Sequence, residues 1–242
     1  MKRIGSLIIG LFLITNSLQA FEPSRMHPTD RFIVTVFSDL WQEVPDNISL
    51  RTIQRGVSIN AMQDMPLGRS NFSVAAGLGF SSHNLYSDHR YQFDPFFPGG
   101  WEEKYDFTPI QGDYDKNKLS LNYLEVPVEF RYRTRDLDRT FRLYAGIKAG
   151  YLISGHTKFE GEEPFLLPDL PGLDQIPIEL IREVKIKEHS LDNIEKYRIG
   201  LTAMVGYGSV NLHFYYPLTR VFYDNSAEDM YPVSLGLSLI LF

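Results

Sequence analysis

The feature that most constrains the fold is the alternation of side-chain character in residues 71–82. Even positions from Phe72 to Phe80 are apolar, whereas the odd positions are occupied by Asn, Ser, Ala or Gly. Because successive side chains of a β-strand point to opposite faces, this segment predicts a strand with one apolar face and one face of small or polar residues.

The same alternation recurs in seven further segments, so we predict eight strands. Within the fourth, Leu119, Leu121 and Tyr123 occupy odd positions, whereas Leu124 and Val126 occupy even ones. This change of parity predicts a β-bulge near Tyr123. The predicted strands are residues 31–39, 52–62, 71–82, 119–133, 141–151, 198–207, 211–216 and 233–242.

The connections between the predicted strands alternate in length. Short links at residues 66–68, 135–139 and 208–209 separate four long ones. This asymmetry is typical of an all-β, eight-stranded antiparallel up-and-down transmembrane β-barrel with short periplasmic turns and long extracellular loops. In the third long link, residues 178–188 are a place where strands could extend beyond the membrane. The long links are residues 40–51, 83–118, 155–193 and 220–232.

Composition and the first residues support export to the outer membrane. Residues 1–20 have the pattern of a signal peptide, with Lys2 and Arg3, an apolar stretch and then Ala20. We therefore expect residues 21–242 to form the outer-membrane barrel domain. The chain has no cysteine, which excludes thiol chemistry, and its net charge of −6 argues against nucleic acid as a partner.

A soluble eight-stranded barrel is the competing interpretation, because its strands also alternate. Its polar face would present Lys and Glu to water, whereas here that face carries mainly Gly, Ser, Ala, Asn and Thr. Small residues suit the crowded interior of a narrow barrel, and the Tyr and Phe residues near the strand ends fit aromatic girdles at the two membrane interfaces. The sequence therefore favours the membrane barrel.

Charged residues on the predicted inner face concentrate on the fourth to sixth strands. A buried charge is costly unless it is paired and hydrogen-bonded, and neighbouring strands supply both signs here. The cluster is either an ion or substrate path or a salt-bridged plug, and we expect the plug because side chains fill the interior of an eight-stranded barrel. The residues of this lumen charge network are Glu125, Glu129, Arg131, Arg142, Lys148 and Arg198.

Residues 122–132, Asn-Tyr-Leu-Glu-Val-Pro-Val-Glu-Phe-Arg-Tyr, resemble the "Tyr-Leu-Glu-Ile-Pro-Leu" strand of PorT-like outer-membrane barrels from Bacteroidetes. Residues 66–86, 141–151, 197–211 and 231–238 add to the resemblance. It implies an eight-stranded outer-membrane barrel and, for PorT itself, an accessory component of type IX protein secretion. It supplies no catalytic residues, because the shared motif is a strand.

The loop of residues 83–118 is aromatic and acidic. Exposed aromatic residues at this density often mark a contact surface. The alternative is that the loop folds over the barrel mouth and buries them itself. The candidates for partner binding are Tyr91, Phe93, Phe96, Phe97, Trp101 and Tyr105.

An enzymatic function is the weaker hypothesis. Ser81 and His83 share one strand face near the predicted outer rim, where a lipid-modifying barrel could hold a nucleophile and its base. We instead expect a non-enzymatic barrel without cofactor or metal. Its expected partners are outer-membrane lipid and lipopolysaccharide, and other secretion-system proteins. A structural or adhesive surface barrel is the alternative function.

Overall fold

The computed structural model describes residues 30–94, 104–134, 140–166, 179–189, 191, 193–223 and 229–241. Within these ranges the regular elements are β-strands, and no helix there is long and apolar enough to cross a membrane. The expected signal peptide, residues 1–20, lies outside the described residues.

The described residues form eleven strands. They are β1 (Phe32–Gln42), β2 (Arg55–Pro66), β3 (Phe72–Leu85), β4 (His89–Asp94), β5 (Lys104–Pro109), β6 (Tyr114–Arg133), β7 (Phe141–Leu166), β8 (Glu179–Glu188), β9 (Tyr197–Tyr207), β10 (Val210–Pro217) and β11 (Tyr231–Leu241).

Eight of these strands close into an antiparallel ring in the order β1, β2, β3, β6, β7, β9, β10, β11. The ring is closed because β1 pairs with both β2 and β11, so that Phe32 lies opposite Ala61 on one side and Leu241 on the other. The predicted up-and-down barrel is therefore confirmed. Two of its short turns contain Gly68 (φ 62°) and Gly208 (φ 65°), in the left-handed region that glycine adopts without a steric penalty.

The outward face of the ring is apolar on all eight strands. A soluble protein does not leave a continuous apolar surface of this extent in water, whereas a membrane barrel turns such a surface to lipid. We call these outward apolar side chains the apolar belt. Exposed members, one from each strand in ring order, are Val36, Ile59, Leu78, Val126, Ile147, Leu201, Leu212 and Leu237.

The predicted bulge near Tyr123 lies on the neighbouring strand. Asn122 of β6 pairs with Ser154 of β7, whereas Tyr123 pairs with Leu152, so Ile153 is the extra residue. Even-numbered residues of β7 are turned inward before Ile153, and odd-numbered ones are turned inward after it. The predicted position near Tyr123 is therefore confirmed, but the extra residue belongs to β7 and not to β6.

From Lys116 to Arg133, strand β6 itself keeps one parity. Leu119, Leu121 and Tyr123 are buried on the same inner side as Glu125. The change of apolar parity has a different cause, which is a change in what fills the barrel. Toward the extracellular loops the interior is apolar, and toward the short turns it is charged.

Two structures extend beyond the ring at its long-loop end. β4 and β5 pair with each other as a separate hairpin, in a region predicted only as a loop. β8 pairs with the outer part of β7, from Thr157 opposite Glu188 to Leu166 opposite Glu179. This pairing agrees with the expectation that strands could extend beyond the membrane at residues 178–188.

Candidate functional site

The end of the barrel that carries the short turns holds a network of buried arginines and aspartates. Arg142 Nε donates to Asp30 Oδ2 at 3.0 Å, and Arg133 Nη1 donates to the same oxygen at 3.4 Å. Arg133 also pairs with Asp64 of β2. Since Asp30 lies two residues before the start of β1, these contacts fasten the beginning of the barrel to β6 and β7. We call this set the basal network.

Arg131 is the most deeply buried cation of the basal network, with none of its surface exposed. Its Nε donates to Glu129 Oε2 at 2.8 Å, and its Nη1 lies 3.6 Å from Asp64 Oδ1. The guanidinium carbon lies 4.7 Å from the ring centroid of Tyr144, within cation–π range. Carboxylates and an aromatic ring thus replace water around this charge.

A second network lies at mid-height and centres on Glu125, which is fully buried. Its Oε2 lies 3.3 Å from Lys148 Nζ, and its Oε1 accepts a hydrogen bond from Arg198 Nη2. Arg198 also donates to Ser81 Oγ at 2.8 Å, and its guanidinium carbon lies 3.9 Å from the ring centroid of Tyr123. We call this set the central network.

The sequence builds the central network through a glycine. Glu125 of β6 lies opposite Gly150 of β7, and Gly150 lies opposite Arg198 of β9. A Cβ at Gly150 would be only 3.0 Å from Arg198 Cγ. Because this position has no side chain, the Arg198 side chain can cross β7 and reach Glu125.

Ser81 and His83 are not hydrogen-bonded to each other. His83 Nδ1 lies 2.8 Å from Asp39 Oδ2, whereas Ser81 Oγ accepts its hydrogen bond from Arg198. Both residues are buried inside the barrel, and Ser234 Oγ donates to the remaining Asp39 oxygen at 2.6 Å. A serine nucleophile needs a base within hydrogen-bond reach, but among the described residues His83 Nε2 has no hydrogen-bond partner, and Ser81 Oγ is bound by Arg198 instead.

The mouth of the barrel is filled by an apolar cluster, which we call the mouth core. Its centre is Phe222, which is fully buried. The centroid of the Phe222 ring lies 5.3 Å from that of Tyr91 and 5.5 Å from that of Phe107. Tyr91 and Phe107 belong to the β4–β5 hairpin, which therefore folds over the mouth. The other members are Trp41, Ile48, Leu85, Leu119, Leu121, Tyr123, Ile194, Val221 and Met230.

Ion pairs hold the hairpin against the extracellular part of the barrel. Arg90 Nη1 lies 2.7 Å from Glu163 Oε1 of β7, and its Nη2 lies 3.3 Å from Glu188 Oε1 of β8. The hairpin base is thus fixed both by apolar packing and by charge.

The aromatic residues predicted to bind a partner are placed unequally. Tyr91 is buried in the mouth core, so for this residue the folded-over alternative holds. The backbones of Phe93 and Tyr105 pair within the β4–β5 hairpin. Phe96, Phe97 and Trp101 lie outside the described residues.

The six predicted charges of the lumen charge network separate into two groups. Glu125, Lys148 and Arg198 belong to the central network, and Glu129, Arg131 and Arg142 belong to the basal network. Within the described residues, no cluster of three or more His, Asp or Glu side chains is arranged to hold a metal ion.

Sequence reasoning missed three buried carboxylates, of which Asp30 and Asp64 belong to the basal network and Asp39 pairs with His83. Asp39 has the inner parity of β1, so the alternation of that strand could have identified it. Asp64 has the inner parity of β2, but the predicted strand ended two residues earlier, at residue 62. Asp30 precedes β1, where no alternation exists to place it.

Comparisons with known proteins give one result. The family model described as outer membrane protein beta-barrel domain matches residues 32–223. That range contains strands β1 to β10 and the charged residues of the central network. Searches among curated proteins and among solved structures gave no match.

Proposed function

The chain belongs to the outer membrane protein beta-barrel domain family, and from this premise we propose that it is a non-enzymatic, PorT-like accessory of type IX protein secretion. The family and the closed apolar belt make it an integral barrel of the outer membrane. The role in secretion rests on the resemblance of residues 122–132 to the PorT-like strand.

The observation that carries the proposal is the filled interior. The basal network, the central network and the mouth core lie in series along the barrel axis, and their side chains are buried. Eight strands leave an interior that side chains can fill, so such a barrel does not conduct substrates by diffusion. Its function then depends on its outer surfaces, which suits an accessory that docks other proteins.

The docking surface of this proposal is the segment between β4 and β5. Residues 95–103 join Asp94 to Lys104, which pair with each other at the end of the hairpin. The hairpin is held by Tyr91 and Phe107 in the mouth core and by Arg90 on β7 and β8. A fixed base lowers the entropy cost of presenting a binding segment to a partner.

The test compares cargo in the periplasm and in the medium of a strain that lacks the protein. We expect cargo to accumulate in the periplasm and the wild-type chain to restore its release. A triple variant, Phe96→Ser, Phe97→Ser and Trp101→Ser, should insert normally but fail to restore release. Tyr223→Ser, which changes an exposed aromatic residue of another outer loop, is the matched control and should restore it.

Normal secretion in the deletion strain would contradict the proposal. It would leave the second candidate, an adhesive surface barrel, which is favoured by the extension of β7 and β8 beyond the ring. In that case cells that carry the triple variant should lose attachment to the partner surface while secretion stays unchanged.

A further inference from the structure

The extracellular parts of β6, β7 and β8 form a three-stranded sheet whose outer face is strongly basic. Lys118 of β6 lies opposite Lys158 of β7, and Lys158 lies opposite Lys187 of β8, so three lysines form one row across the sheet. We call this surface the basic face. Its members are Lys116, Lys118, His156, Lys158, Lys185 and Lys187.

The positive charge of the basic face is poorly compensated. Within the described part of the chain, Glu160 is the one carboxylate within 4.0 Å of these lysines, and it lies 2.7 Å from Lys158 Nζ. Lys118 Nζ instead donates to the uncharged Asn84 Oδ1 at 2.9 Å. Glu162 and Glu183 share the face but lie farther from the apolar belt.

Because Lys118, Lys158 and Lys187 lie in one row, their charges repel one another, and this affects the pKa values of the groups on the basic face. Burial lowers the pKa of Lys118, and the charges of Lys116, Lys158 and Lys187 lower it further. The hydrogen bond from Lys158 lowers the pKa of Glu160, and nearby lysines add to the effect. Binding of an anion to such a face lowers the electrostatic free energy, because it offsets this repulsion.

The basic face begins directly above the apolar belt. Leu124, Tyr151 and Ile153 are exposed apolar residues at the upper edge of the belt on β6 and β7. At about 3.3 Å per residue and a tilt of about 40°, His156 lies roughly 8 Å and Lys158 roughly 13 Å above Ile153. These heights fall in the headgroup region of the outer leaflet, and lysine side chains can reach back toward it.

We propose that the basic face binds the phosphate groups of an outer-leaflet glycolipid of the lipopolysaccharide class, whose acyl chains lie on the adjoining apolar belt. Two observations support this ligand, and the second distinguishes it from a soluble anion. The charge is complementary to phosphate, and the exposed apolar residues Ile153 and Tyr151 lie just below the basic face on the same strand, with Ser154 between them and His156. A ligand with both a phosphate and acyl chains matches both surfaces.

The experiment measures binding of the full-length barrel, in non-ionic detergent micelles, to lipid A that carries two phosphates. The test variant combines Lys118→Gln, Lys158→Gln and Lys187→Gln. The control variant combines Arg31→Gln, Arg69→Gln and Arg220→Gln, which removes the same charge from exposed positions outside the basic face. Heat-modifiable migration in gel electrophoresis verifies that each variant is folded.

We expect the test variant to bind roughly a hundredfold more weakly than wild type, since each lysine near an anionic surface contributes roughly a factor of five. The control variant should bind like wild type, and lipid A stripped of phosphate should bind weakly to all three proteins. If the test variant does not fold, Lys187→Gln alone, at an exposed position of β8, should lose about fivefold.

Equal binding by the test and control variants would overturn the proposal. Displacement of lipid A by millimolar inorganic phosphate would overturn the choice of a lipid, because the site would then recognise a free anion. Neither result depends on secretion, so this test can fail while the proposed secretion role stands, and the reverse is also true.

Discussion

The central network and the mouth core fill the same barrel with opposite chemistry. Around Glu125, two cations and a carboxylate are withdrawn from water and held by direct pairing. Around Phe222, aromatic rings from the hairpin and the loops pack together with no charge among them. The central network is built almost entirely by strands of the ring, whereas the mouth core depends on segments that lie outside it.

The two regions are therefore expected to respond differently to substitutions that remove a side chain. A buried ion pair contributes little net stability when intact, but removing one partner leaves an uncompensated charge. An apolar core loses stability in proportion to the volume removed, and a peripheral core can open without unfolding the rest. We expect the central network to control assembly of the ring and the mouth core to control closure of the mouth.

The largest effect is expected for Glu125→Ala. The substitution leaves Lys148 and Arg198 buried without their carboxylate, which should destabilise the barrel by about 4 kcal/mol. Urea unfolding of the protein in lipid vesicles measures the change. Replacing all three residues with methionine should recover most of the loss, and failure to recover it would show that the charges themselves are needed.

Phe222→Ala should have the next largest effect, but a more local one. Removing a fully buried ring should cost about 3 kcal/mol within the mouth core. We expect faster hydrogen exchange in β4 and β5 while the amides of β1 and β11 remain protected. Equal loss of protection in the ring would mean that mouth and ring unfold as one unit.

Gly200 tests the packing beside the central network, because the neighbouring Tyr215 ring has its centroid 5.0 Å from Lys148 Nζ. A Cβ at Gly200 would lie 2.5 Å from the Tyr215 ring, so Gly200→Ala should cost about 2 kcal/mol through overpacking. Adding Tyr215→Leu should relieve the clash, and a double-mutant cycle in urea unfolding measures that coupling. Ala149→Val, on the outward face of β7, is the control and should change stability little.

The smallest effect concerns pH at the outer loops. Burial raises the pKa of Asp88, but hydrogen bonds from His89 and the Ser49 amide outweigh it and hold the pKa below its ordinary value of 3.8. The ionised carboxylate therefore stabilises the link between residues 49 and 88 above that pH, and this stability is lost as the pH falls through the lowered pKa. Chemical shifts of the Ser49 amide should move only below about pH 4, and Asp88→Asn should abolish the movement.

The barrel was predictable because alternation is a local property of the sequence. The alternation within each ring strand identifies the side that faces lipid. Leu78 and Ile147 could therefore be oriented without knowing which strands lie beside theirs. The ion-pair partners were less accessible. Asp30 reaches Arg142 across 112 positions of sequence, and such a contact depends on ring closure.

The mouth core shows a second limit of the sequence reading. Leu119 and Leu121 were interpreted as a change of face, because an apolar residue in a membrane barrel was expected to point to lipid. They point inward because the β4–β5 hairpin brings aromatic rings above them. The residues of β6 alone give no indication of that hairpin. The alternation along a strand shows which side chains are apolar, but an apolar side chain can face either lipid or an apolar protein core.

The single extra residue at Ile153 reverses the inward and outward alternation of β7. It exchanges inside and outside for residues 154–163 of β7, which places Phe159 against Arg90 of the hairpin and Lys158 on the outer surface. Without the insertion, those two side chains would trade places, with the charge directed into the mouth core and the ring into the headgroups. One residue thus allows a lipid-facing strand to continue into the extracellular sheet, and its pairing with β6 is interrupted there at a single position.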